Sequence, residues 1–315
     1  IKNNSIDPEV IFVKKKNYFD FLVSMNEPVA NINDYEQAII TMFSQELING
    51  KRIHEVLLVQ NLIYNSELAQ TDYIKLLSDY GTYSNKETIY SVENLLSLKF
   101  FVTTAQKNYG SEPIVILDNG KYKLNSKLQK SLENEEFRKL LQDIIICSFE
   151  KNKKYNKQTP LTIYEKYSRK DVCRLLNWSS NEEGTLNGGR VKMNTCPIFV
   201  NYHKTDEDNL EVKYMDEFLS TDIFKWCSTK NRKVTAKDIA PIVNSSAADI
   251  TVHLFVKKHN GEGKDFYYLG EVTVDSNSAE NDTLIDQGKI YNVATMNMIL
   301  EQPVQYDIYH YLVEE

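Results

Sequence analysis

Hydrophobic positions in the first half of the chain recur at helical spacing. Asn33 or Asp34 stands where a helix cap is wanted, and Tyr35, Ile39, Met42, Phe43 and Leu47 follow on one face until Gly50. The same period returns in His54 to Tyr64, in Thr71 to Tyr80, which Gly81 stops, and in Glu87 to Leu98. The period then changes. Ile114-Val115-Ile116-Leu117 runs into Asp118-Asn119-Gly120 and on to Lys121-Tyr122-Lys123-Leu124, a strand, turn and strand with glycine where positive φ is needed. A further helix is predicted over Ser126 to Phe149. Helices, a hairpin and a closing helix form either a winged-helix arrangement or a helical spacer carrying one hairpin.

The stretch Glu150-Lys151-Asn152-Lys153-Lys154-Tyr155-Asn156-Lys157-Gln158 has little to bury and reads as a solvated linker. Beyond it the spacing predicts a helix over Leu161 to Trp178 and strands over Cys196–Tyr202, Ile250–Lys257, Phe266–Val274 and Met296–Leu300, with a turn at Asn260-Gly261-Glu262-Gly263. Several short strands without alternating long helices do not build a doubly wound sheet, so an α+β fold with a strongly curved or closed sheet is expected. The domain boundaries that follow are an irregular lead-in over 1–30, a helical connector over 31–150, a linker over 151–159 and a second domain over 160–315.

A length of 315 residues agrees with two cores. No apolar run approaches the ~18 residues of a membrane span, and a soluble, cytoplasmic piece of a longer bacterial protein is expected. Cys147, Cys173, Cys196 and Cys227 stand apart with no zinc-ligand spacing, which predicts reduced thiols and no metal. The net charge of −7 argues at first against nucleic acid, but its distribution is uneven. Residues 1–159 carry 20 basic and 20 acidic side chains, and residues 160–315 carry 17 and 24.

Catalytic motifs are missing. A metal-dependent nuclease of the common restriction type needs an acid followed by Glu-x-Lys; Asp265 precedes Glu271-Val272-Thr273, which lacks the lysine. There is no phosphate-binding glycine loop, no H-E-x-x-H and no glycine-flanked serine nucleophile. A binding surface is better represented. Asp222 to Lys233 interleaves aromatics with hydrogen-bonding and cationic groups: Lys225, Lys230, Arg232 and Lys233 for phosphates, Ser228 and Asn231 for phosphate or a base edge, and Trp226 as a stacking face. Tyr202-His203-Lys204 and Lys257-Lys258-His259 offer similar groups at strand ends. A tryptophan in such a domain is more often core than ligand platform.

The run from Leu161 to Trp178, then Gly188-Gly189-Arg190-Val191, Cys196 to Lys204, Phe224-x-Trp226-x-Ser228 with Arg232, His253 to Lys258 and Phe266 to Gly270, resembles a domain of unknown function that follows superfamily-2 helicase cores. It covers about half the chain. Proteins with this domain join a phospholipase-D-type nuclease and a DEAD-box-like helicase to it, among them type IV restriction endonucleases that act on 5-methylcytosine or 5-hydroxymethylcytosine DNA. The resemblance implies a curved β-barrel similar to the SRA and PUA-like folds, which flips the modified base out of the duplex. It implies stackers among Trp226, Tyr202, Phe224 and Tyr268, and acceptors for cytosine N4 among Asp216, Glu271 and Asp275. It also places Arg190, His203, Lys204, Lys257 and Lys258 with the 225–233 cations at DNA. No catalytic residue and no cofactor is expected in this segment; ATP and Mg belong to the parent protein, whose upstream helicase and nuclease domains would be its partners beside the DNA. A protein-docking module of the helicase without DNA readout, or a metal-dependent nuclease domain, are the alternatives.

Overall fold

The computed structural model describes residues 18–27, 29–203, 216–286 and 288–314. It divides into two compact units, Ile1–Pro160 with Ser179–Asn181, and Leu161–Trp178 with Glu182–Glu315. The described part of the first unit contains α1 (Tyr18–Ser24), α2 (Asp34–Met42) running into π-helical Phe43–Ile48, α3 (His54–Tyr64), β1 (Leu68–Ala69), α4 (Gln70–Tyr80), α5 (Lys86–Leu96) and α6 (Thr103–Asn108). Then come β2 (Val115–Asp118), β3 (Lys121–Leu124), α7 (Ser126–Ser131) and α8 (Glu135–Asn152).

Local chemistry explains the boundaries. Asn33 caps α2 by accepting from the Glu36 amide, while the Glu36 carboxylate accepts from the Asn33 amide at 3.0 Å, a reciprocal capping box. Ile39, Met42, Phe43 and Leu47 then fall in the core. Asn119 (φ 47°) and Gly120 (φ 73°) make the tight β2–β3 turn, and β1 joins that hairpin in the order β1-β3-β2. The single helix expected over Ser126–Phe149 is two helices. The Asn134 side chain accepts from the Glu136 and Phe137 amides and starts α8 afresh.

The second unit contains β4 (Lys166–Tyr167), α9 (Arg169–Leu175), β5 (Thr195–Asn201), β6 (Glu217–Phe218), β7 (Ile223–Cys227), α10 (Ala240–Val243), β8 (Thr251–Lys257), β9 (Phe266–Asp286), β10 (Lys289–Leu300) and α11 (Tyr306–Val313). The class is α+β, and the sheet is mixed, ordered β5-β8-β9-β10-β7-β6 with β4 on β9. Among the described residues only β5 and β8 pair in parallel. Among the described residues β5 and β6 do not pair, so the sheet is open and the closed barrel is not observed.

Strand alternation sorts side chains between two faces. Cys196, Ile198, Val200, Val252, Leu254, Val256, Phe224, Trp226, Met296 and Met298 form one core, into which α11 also sends Leu312. Phe199, Phe255, Phe266 and Tyr268 build an aromatic layer on the opposite face, with Phe199 stacked on Phe255 at 4.8 Å and Tyr167 edge-on to Phe255.

Two expectations are corrected here. Leu161–Trp178 is not one helix, because Ser168 and Asp171 form a capping box that begins α9 only at Arg169, and Tyr167 instead pairs with Phe266. The last two strands are far longer than Phe266–Val274 and Met296–Leu300. Their polar outer halves pair with each other in a ribbon up to Asp286 and from Lys289.

Substituting Ser168→Ala removes the side-chain acceptor of the α9 cap and should cost the second unit about 1 kcal/mol. Both tryptophans, Trp178 and Trp226, lie in that unit, so denaturant unfolding followed by tryptophan fluorescence measures the loss.

Candidate nucleic-acid interface

On β7 the pleat sends Phe224 and Trp226 inward, 0% and 2% exposed, and leaves Lys225 half-buried between Asn297 and Glu217 on the neighbouring strands. Past Cys227 the chain stays beside β10. The Ser228 amide donates to the Ala294 carbonyl and the Ser228 hydroxyl accepts from the Ala294 amide, both at 2.8 Å. Further on, the Arg232 amide donates to the Asn292 carbonyl at 3.1 Å. Asn231 takes a left-handed conformation (φ 61°) in this segment.

The segment forms one wall of a cleft of about 590 Å³, within the range of ~300–1,000 Å³ typical of ligand sites. Thr229, Arg232, Lys237, Asp238, Ile239 and Pro241 line that side, and Thr185, Asn187, Gly189, Arg190 and Val191 line the other. Trp226 also contributes to the lining, though it is only 2% exposed and belongs to the sheet core. Gly188 and Gly189 let the chain lie this close. Gly188 has φ 82°, and a Cβ there would meet Thr229 Cγ2 at 3.4 Å. A Cβ on Gly189 would meet Ile198 Cγ1 and Ile242 Cδ1 at 3.1 Å.

The cleft's cations are partly engaged. Arg190 pairs with Glu182 at 2.7 Å and donates to Thr185 Oγ1, and Lys192 shares Glu182 while lying 5.3 Å from the Trp178 ring. Arg232 pairs through Nε with Asp238 and donates to the Asn231 carbonyl. Lys237 is exposed. Three cations and one carboxylate therefore line the cleft beside a largely buried indole, a set of groups suited to phosphates and to a hydrogen-bonding ligand.

Of the residues singled out in the sequence, Trp226, Arg190 and Arg232 meet here. Lys230, Asn231 and Lys233 lie on the same connecting segment, with Lys230 Nζ 4.9 Å from the Tyr291 ring and Asn231 and Lys233 exposed. The others go elsewhere for identifiable reasons. Phe224 is core, and both polar functions of Ser228 are spent on the backbone, its hydroxyl donating to the Thr229 carbonyl at 3.2 Å.

Tyr202 packs against Phe218 and His203, and its hydroxyl accepts from the Phe218 amide. Tyr268 is buried in the aromatic layer. Lys257 is buried too; it donates to the Gly263 carbonyl at 2.9 Å over the Phe266 ring, and desolvation lowers its pKa. Lys258 lies 5.4 Å from the Tyr311 ring. Asp216 accepts from the Cys227 amide at 2.8 Å, Asp275 accepts from the Asn277 amide, and Glu271 faces His253 across the ladder with its carboxyl raised by desolvation and by Glu301. Lys204 lies outside the described residues. No cluster of three metal-ligating side chains occurs among the described residues.

Asp238, Lys237, Asn187 and Thr185 were missed. Asp238 follows Arg232 by six residues through a turn-rich segment, so no strand or helix period marks it, and Asn187 is recognisable only by its neighbours Gly188-Gly189.

Residues 161–312 match a family described as Domain of unknown function (DUF3427). Residues 1–157 match a second, described as Domain of unknown function (DUF8090). No curated protein matches the chain. Among solved structures it is similar to the DNA recognition domain of the cytosine modification-dependent restriction endonuclease LpnPI, at 10% identity over 45% of this chain and 75% of that one, TM-score 0.32. It is similar to the DNA modification-dependent restriction endonuclease AspBHI at 11% identity over 46% and 78%, TM-score 0.33. A third, the sulfur binding domain and SRA domain of ScoMcrA complexed with phosphorothioated DNA, aligns at 7% identity over 91% and 93%, TM-score 0.29. No helix among the described residues is long and apolar enough to cross a membrane.

On β8, His253 is buried with Nδ1 at hydrogen-bond distance, 3.1 Å, from the Tyr268 hydroxyl; burial pushes its pKa down to about 4. The unfolded chain therefore binds a proton near pH 6.5 that the folded chain refuses, so stability is present above pH 6.5 and is lost as pH falls toward 4. About 3 kcal/mol is at stake. The stability difference between wild type and His253→Gln, measured by urea unfolding at pH 7 and pH 4, should shrink by this order.

Proposed function

We propose that residues 161–312 are the target-recognition module of a SauUSI-like type IV restriction endonuclease and bind duplex DNA containing 5-methylcytosine or 5-hydroxymethylcytosine. The observation that carries this reading is the cleft itself, which brings Arg190, Arg232 and Lys237 together with the Asp238 carboxylate and the apolar side chains of Val191, Ile239 and Pro241. A base flipped from the duplex costs a few kcal/mol to unstack, and hydrogen bonds to its edge with phosphate contacts at the rim offset that cost. Asp238 is placed to accept from cytosine N4 once a phosphate takes over Arg232. The apolar side chains of Val191, Ile239 and Pro241 supply a niche for a 5-methyl group.

In this reading the sheet is an SRA-like surface curved around the flipped base, and the segment is not catalytic. Translocation and cleavage belong to helicase and nuclease domains elsewhere in the parent protein, with ATP and Mg, in the bacterial cytoplasm. The first unit is a winged-helix-like connector. Its order of α3, β1, α4, α5, α6 and the β2–β3 hairpin supports that arrangement.

Titrating the chain against matched duplexes, plain, methylated and hydroxymethylated, tests the reading, and tighter binding of a modified duplex is the expected result. Asp238→Asn should narrow the preference for modified cytosine. Arg232→Ala and Lys237→Ala should each weaken binding to every duplex and lower the salt slope by about 1. Trp226→Phe, which keeps most of the buried volume, should reduce discrimination without unfolding. Equal affinity for all three duplexes sinks the modified-base reading, and no DNA affinity at all favours a protein-docking module.

A further inference from the structure

The β9–β10 ribbon carries a feature that the cleft does not use. Beyond the stretches paired with β8 and β7, Asn281–Asp286 and Lys289–Ala294 pair with each other as a ribbon. Near its end Ile285 and Ile290 are directly opposite each other, so both side chains leave the same face. They are 58% and 71% exposed. Thr283 and Asn292, the next pair on that face, are exposed as well. The other face is held down by Leu284 and Val293, which are buried with Cys227. Glu280 and Asp282 alternate onto that held face, away from the isoleucines.

The ribbon is tied to the cationic segment of the cleft. The Arg232 amide bonds to Asn292, Lys230 lies over Tyr291, and exposed Lys289 adjoins Ile290. The isoleucine pair stands two residues beyond Asn292, about 7 Å further along the strand. An anchored ribbon with an apolar tip, joined through the Arg232 amide to the cationic segment that lines the cleft, has the chemistry of an element that enters a DNA groove and parts a base step.

We propose that Ile285 and Ile290 form a wedge that enters the base stack beside the modified cytosine while that base occupies the cleft. The inference rests on the DNA-reading function proposed above. Burial of two β-branched side chains between bases removes apolar surface from water and offsets part of the unstacking cost. The wedge also fills the space that the flipped base vacates.

The test compares the full chain with its I285S/I290S variant on a methylated duplex carrying 2-aminopurine next to the modified cytosine, and on the same duplex lacking the base opposite that cytosine. Both isoleucines are exposed, so the thermal transition should not change. The variant should bind the paired duplex at least about tenfold more weakly, about 1.4 kcal/mol, and lose the fluorescence rise that reports unstacking. It should regain most of its affinity on the duplex where unstacking is already done.

Wild-type affinity and fluorescence in the variant overturn the wedge, and so does equal weakening on both duplexes, which marks a general contact. Self-association of the wild type that the variant lacks assigns the tip to a second copy of this chain and also overturns it. If the wild type binds plain and methylated duplexes alike, the modified-base reading fails by itself, and the wedge is judged on the plain duplex by the same affinity and fluorescence.

Discussion

The pairing of β9 with β10 sets the register of most of the sheet, because β8 and β4 take their partners from β9 and β7 takes its partners from β10. A slip of one residue would turn Met296 and Met298 out of the core and carry Phe224 and Trp226 with them. The register is secured where the ladder is interrupted. Asp275 faces Asn297 but Glu280 faces Thr295, so residues 276–279 bulge from β9. Ser278 bridges the gap, accepting from the Asn297 amide at 2.8 Å and donating to the Asp275 carbonyl at 2.7 Å. Bulges re-aim strands, and this one separates the core half of the hairpin from the ribbon that runs beside the cleft.

That arrangement explains which parts of the fold were legible in the sequence. Helices whose apolar residues face one core, such as Asp34–Leu47 and His54–Tyr64, announce themselves by period and cap. The Asp118-Asn119-Gly120 turn does so because its backbone needs left-handed residues. The ribbon does not. Its outer half alternates small polar residues with a few apolar ones, and its pairing partner lies across a turn, so local composition resembles loop. Leu161–Trp178 misled for the opposite reason: helix-compatible apolar spacing persists across Leu161–Tyr167, but a backbone pairing with β9 outweighs it.

The site was legible in part. The cationic-aromatic segment around Trp226 and Arg232 stood out because cations and aromatics are adjacent in sequence there, whereas Asp238 and Asn187 reach the cleft only through tertiary structure. Candidate acids and lysines were over-counted, since sequence does not tell a carboxylate that caps a strand amide, as Asp216 does, from one facing an open cleft. Lys257 shows the same limit. It ends a strand like a phosphate contact, yet its ammonium is buried against Phe266 and a carbonyl.

The carboxylates around the cleft bear on selectivity as well as charge. Glu182 holds Arg190 and Lys192, and Asp238 holds Arg232. Pairs this exposed are each worth about 0–1 kcal/mol, so in the proposed DNA-reading role a phosphate would displace the carboxylate at little cost when other contacts form at the same time. In that role non-specific duplex, offering phosphates alone, would compete with an internal anion for each of those arginines and gain less from them. The acidic excess of residues 160–315 is then compatible with a DNA-facing cleft, because it suppresses the sequence-independent term more than the specific one. Trp226, fixed in the sheet core yet part of the cleft's lining, gives the cleft a wall that needs no ordering when a ligand enters.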